Sequence, residues 1–89
     1  PVSAFNPADA KLWASKTTAL ACENLVLALR AHGFDSCMME GFDEPLVSQI
    51  LALGEQQYPV MVIAAGERAT DGVFFPQYRF DRDLFIQKV

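Results

Sequence analysis

The sequence has little of what usually carries catalysis. It holds one histidine and two cysteines in 89 residues, and it contains no Ser-His-Asp spacing, no G-x-G-x-x-G and no Walker-type loop. Cys22 and Cys37 have only His32 between them as a further soft ligand, so neither a zinc site nor a disulfide framework is supported. Both read as packed, reduced thiols. His32 falls in the last turn of a helix, where an imidazole complements the helix dipole. No apolar run reaches the roughly 18 residues that span a bilayer, and the amino end lacks the charged and apolar regions of a signal peptide. Seven basic residues face eleven acidic ones, for a net charge of −4 and a pI near 4.7. The basic residues are dispersed, which argues against a nucleic-acid footprint. The expectation is a soluble, cytoplasmic protein with neither nucleic acid nor membrane as a partner.

Apolar residues, by contrast, are plentiful. They make up 52% of the chain, above the usual range for soluble domains. A lone domain of this size buries only about 60% of its unfolded surface. Such apolarity therefore predicts surface meant for a partner or for a missing portion of the fold. The absence of an initiator methionine before Pro1 accords with a fragment.

The elements are legible in order. Asn6 is a helix cap, Pro7 suits the first helical position and Asp9 favours the dipole, so a helix is expected from Pro7 to about His32, stopped by Gly33. Its second half, ALACENLVLALRA, is apolar almost all round, the pattern of a helix buried on most sides. A strand follows from Phe34 to Met39. Asp43 and Pro45 open a second helix with Leu46, Val47, Ile50 and Leu51 on its apolar face, closed by Gly54. The continuous run YPVMVIAA, Tyr58 to Ala65, predicts a strand covered on both faces. Pro76 keeps the tail DGVFFPQYRFDRDLF out of a regular central strand, and the tail reads as an extended arm whose Phe74, Phe75 and Phe80 need something to pack against. The fold class is α+β: helix, strand, helix, strand and an extended C-terminal arm.

Chemistry concentrates in one stretch, CMMEGFDEP, Cys37 to Pro45. From the residues alone Met38 and Met39 read as core, Glu40 as a solvated strand end, and Gly41 as the turn into the second helix. Arg79 reads as a surface partner of Asp81 or Asp83. A non-catalytic interaction or dimerisation module, gripping a partner with its apolar helix and aromatic arm, is one functional reading of such a chain.

The succession ALACENLVLALRAHGFDSC, MMEGFD, LALGE, YPVMVIAAGE and PQYRF resembles the carboxyl-terminal half of the nitroreductase family, the FMN-dependent NAD(P)H oxidoreductases. The resemblance implies that residues 1–89 are the C-terminal portion of a single nitroreductase-like domain whose N-terminal half is absent. It implies a homodimer with FMN at the subunit interface, NADH or NADPH as hydride donor, and a nitroaromatic, quinone or related small molecule as electron acceptor. By the same resemblance Met38, Met39, Glu40 and Gly41 run along the isoalloxazine ring, with a backbone amide of the Glu-Gly turn directed at flavin N5. A fixed donor there would tune the cofactor without acid or base chemistry of its own, and glycine lets a backbone approach a ring closely. Arg79 corresponds to a late arginine that reaches the FMN phosphate, a geometry its guanidinium suits. Gln77 stands where the family often carries a second basic residue; it can donate a hydrogen bond to the phosphate but brings no charge. No catalytic residue and no metal ligand is implied.

Overall fold

A computed structural model describes residues 6–89. The elements are α1 (Pro7–Ala31), β1 (Asp35–Met39), α2 (Glu44–Ile50), β2 (Val62–Gly66) and a short 3-10 turn, Arg82–Leu84. This is the expected α+β order.

α1 begins where its signals stand. The Asn6 side chain accepts a hydrogen bond from the Asp9 amide at 2.8 Å, and Pro7 occupies the first helical position, where its missing N–H costs nothing. The helix ends in a Schellman closure. The Gly33 amide donates to the Arg30 carbonyl and the Phe34 amide to the Leu29 carbonyl, with Gly33 left-handed at φ +88°. This closure explains a small difference at the next element. Because the Phe34 amide is spent on α1, β1 starts at Asp35 rather than Phe34.

α2 is capped by Asp43, whose side chain accepts from the Leu46 amide at 3.0 Å, with Pro45 in the first turn. Its end departs from expectation. The closing left-handed residue is Ala52 at φ +53°, not Gly54. The Ala52 amide donates to Gln49 and the Leu53 amide to Ser48, a second Schellman closure built on a residue with a Cβ. Gly54 lies two residues beyond, its amide donating to the Gln57 side chain.

β1 and β2 pair antiparallel, with Asp35 opposite Gly66, Cys37 opposite Ala64 and Met39 opposite Val62. Residues 58–61, expected in this strand, lie outside it. β1 offers only five residues to pair with, and Pro59 has no amide to donate. Tyr58 instead turns back to α1. Its hydroxyl donates to the Lys11 carbonyl at 2.7 Å, and the Lys11 ammonium sits 4.5 Å from its ring centre. The expectation that β2 is covered on both faces is not met within the described residues: Val62 and Ile63 are half-buried and Ala64 to Gly66 are exposed.

The described residues form no core of their own. No described residue is fully buried, and Leu20 and Ile50 are 70% and 72% exposed. The expected all-round burial of α1 is therefore not achieved by residues 6–89. The radius of gyration is 17.0 Å, against about 12 Å for a compact domain of this length. Cys22 is half-buried, but Cys37, expected to be packed, is exposed. The C-terminal arm carries no strand, and Phe74 and Phe75 are each 82% exposed.

Candidate functional site

The end of β1 and the turn after it form one wall of a concavity. Met39 is the last residue of the strand, Val62 sits across from it in the register, and Gly41 and Phe42 follow before the Asp43 cap. These four residues, Met39, Gly41, Phe42 and Val62, line a largely apolar cavity of about 320 Å³. Its shape follows from the backbone. The strand holds Met39 and Val62 side by side, while the cap on α2 turns Phe42 back toward them. Gly41 has open space where a Cβ would stand, with no atom within 4 Å. It is not a left-handed glycine, since Gly33 holds that conformation among the described glycines. No unusual φ requires a glycine at this position.

Met38 and Glu40 are placed differently. Met38 lies opposite Ile63 and is exposed, and alternation along the strand points it away from Met39. Glu40 is exposed and forms no ion pair among the described residues. Arg79 and Gln77 lie on the arm and do not line the Met39 cavity. The Arg79 guanidinium donates to the neighbouring Tyr78 carbonyl at 2.8 Å. It makes no ion pair with Asp81 or Asp83 among the described residues, so the surface-pair reading of Arg79 is not realised. Tyr78 and Phe80 meet edge to face with ring centres 5.4 Å apart, which turns the intervening Arg79 out of that aromatic pair. The structure thus brings Met39 and Gly41 together and leaves Arg79 and Gln77 outside their cavity.

Two features escape a reading of the sequence. Phe42 and Val62 complete the cavity, and only the register could have put Val62 there. The second is a charge cluster at the opposite end of β1. One Asp35 oxygen accepts from Arg30 at 3.0 Å, and the other accepts from the Arg68 Nε. The Arg68 hydrogen bond, with the charges of both guanidiniums, holds the Asp35 carboxyl below its ordinary value, and Asp35 in turn pushes Arg68 further up. Arg30 and Asp35 flank Gly33 closely enough to be suspected partners. Arg68 is separated by the whole of α2 and β2 and carries no sequence signal. Among the described residues no group of three or more potential ligands could hold a metal ion, and no helix is long and apolar enough to cross a membrane.

Comparison with known proteins adds a family. The model described as "Nitroreductase family" matches residues 2–67. Among similar proteins named "Putative NAD(P)H nitroreductase", YdgI of Bacillus subtilis is 32% identical over 64 residues, covering 71% of this chain and 30% of that protein. Its counterpart in Staphylococcus haemolyticus is 50% identical over 40 residues, covering 45% of this chain and 18% of that protein. Protein DrgA of Synechocystis sp. is 36% identical over 58 residues, covering 65% of this chain and 28% of that protein. The chain thus spans less than a third of the length of these relatives. No solved structure matches it.

Proposed function

This chain belongs to the nitroreductase family, and from that premise we propose that it is the C-terminal portion of a single FMN-dependent NAD(P)H oxidoreductase domain, cytoplasmic and homodimeric in its full-length form. The observation that carries the proposal is the cavity at the end of β1. Met39, Val62 and Phe42 make an apolar wall that fits one face of a flat ring system, and Gly41 leaves its backbone open to close approach. Held here, FMN would supply the redox chemistry between NADH or NADPH as hydride donor and a nitroaromatic, quinone or related acceptor.

The residues of this chain do the rest. The Glu40–Gly41 backbone, unencumbered by a Cβ at Gly41, supplies an amide donor toward the ring edge. Met38 and Glu40 border the segment, Glu40 facing solvent where a nicotinamide or water would approach. Apolar Met39 and Val62 keep water from one face. Arg79 and Gln77 are the phosphate-binding pair of the proposal, one charged and one neutral. Among the described residues Arg79 donates to a neighbouring carbonyl alone, which leaves further donors for an anion.

The visible absorption spectrum of the purified full-length protein tests this reading. The expected result is a flavin band that bleaches anaerobically on addition of NADH or NADPH, with FMN released on denaturation. A colourless protein that takes up no FMN and still forms a tight dimer would overturn it in favour of an interaction module.

A further inference from the structure

β2 ends at Gly66, and no helix or strand follows before the short turn at Arg82. Between them the C-terminal arm has two points of local order. Its root is Arg68, whose Nε donates to one Asp35 oxygen while the other accepts from Arg30 in the last turn of α1. A turn closes directly on this clasp. The Gly72 amide donates to the Ala69 carbonyl at 3.0 Å. A Cβ at Gly72 would meet that carbonyl oxygen at 3.2 Å and the Arg68 Cγ at 3.5 Å, so the turn lies against the stem of the clasped arginine. The head of the arm is Tyr78 to Phe80, where the two rings meet edge to face and the Arg79 guanidinium rests on the Tyr78 carbonyl.

Root and head are joined by Val73 to Gln77. Within this link Pro76 fixes its own φ and restricts Phe75 before it. A short link with restricted dihedrals passes the direction set at its root on to its head. Root and head are contacts formed, not surfaces left open, and the covalent length between them is the same whatever packs on the arm. A guanidinium on a tether meets a phosphate at an effective concentration that falls roughly as the −3/2 power of the free length. With the root in place, that length runs the seven residues from Gly72 to Arg79. Without it the last fixed point is Gly66, opposite Asp35 in the sheet, and the length grows to thirteen. The corresponding fall is about two- to threefold.

We infer that Arg68 is a positioning residue for Arg79: clasped to Asp35, it fixes the root of the arm and so sets the reach and direction with which Arg79 is offered to a phosphate. The part that concerns the phosphate rests on the proposed flavin reading; the part that concerns the arm does not. Exposed guanidinium–carboxylate pairs contribute little to overall stability, and the weight of this one falls on the arm.

Two measurements on the full-length protein test it. In the flavin-free protein, Arg68→Gln is expected to raise deuterium uptake in peptides covering residues 69–80; unchanged uptake overturns the root. Titration with FMN and with riboflavin reads the consequence. Arg68→Gln is expected to weaken FMN about two- to threefold and to leave riboflavin unchanged, and in an Arg79→Ala background it should cost FMN nothing further. A residue that acted only through folding would weaken both ligands and would do so again in that background. Either of those results, or no effect on FMN, overturns the inference. Should Arg68→Gln fail to fold, Asp35→Ala opens the same clasp from β1 and is held to the same outcomes. The flavin reading fails separately: a protein that takes up no FMN, yet shows the rise in uptake, keeps the root of the arm and loses the phosphate.

Discussion

Gly41 separates function from folding at a single position. It has neither a positive φ nor a neighbour within reach of an added Cβ, so Gly41→Val carries no strain within residues 6–89 and is expected to change stability by less than about 0.5 kcal/mol. Under the proposed function the new side chain occupies the approach to the ring. Flavin content or the single-turnover rate of flavin reduction in the full-length protein should therefore fall while the melting temperature holds. Reduction at the wild-type rate with flavin fully bound would remove the turn from the site. Arg79 is tested by its phosphate. Arg79→Ala should weaken FMN by about 2 kcal/mol, about thirtyfold, and leave riboflavin binding nearly unchanged, since riboflavin lacks the phosphate that Arg79 is proposed to hold. Equal weakening of both ligands would make Arg79 structural.

At the level of elements, the two helix ends make a matched pair. α1 closes on Gly33 and α2 closes with the same hydrogen-bond pattern on Ala52. An alanine in the left-handed region costs about 1–2 kcal/mol, part of which glycine returns through the greater freedom of its unfolded chain. Ala52→Gly is thus expected to stabilise the full-length protein by about 0.5–1 kcal/mol, seen as a higher melting temperature; a loss of stability would contradict the closure described here. The Asp35 clasp has its own signature in pH. Arg30, Arg68 and Glu67 are the charged groups around Asp35 in its groove. Since the folded carboxyl titrates below its ordinary value near 4, its contribution is complete above that value and is lost as pH falls through the lower folded one. Asp35→Asn should lower the melting temperature at pH 7, and the gap to wild type should close below about pH 4. Added salt should narrow it as well.

For the whole molecule the governing fact is the missing core. With none of them fully buried and a radius of gyration of 17.0 Å, the described residues present walls without the opposing surfaces that would close them. The 89-residue chain in isolation is accordingly expected to retain little or no FMN through gel filtration. Each absent charged hydrogen bond removes roughly 1.5–3 kcal/mol, and a few of them exhaust the about 8 kcal/mol that micromolar binding requires. Stoichiometric flavin on the isolated chain would show that these residues suffice for the site.

Local signals in the sequence determined the order of elements, because caps and closures act over three to six residues: Asn6 with Asp9, Asp43 with Leu46, and Gly33 with Arg30 all do in the fold what their spacing foretold. The succession of segments, MMEGFD and YPVMVIAAGE among them, was also enough to point to the family that the comparisons then showed. Tertiary structure decided whatever depends on partners far apart in the chain. β2 begins at Val62 and not Tyr58 because β1 has only five residues to pair with. Val62 joins Met39 through that register. Asp35 finds Arg68 across 33 residues, a meeting that neither residue announces, since a charge in an exposed position looks the same in sequence whether it faces water or a partner.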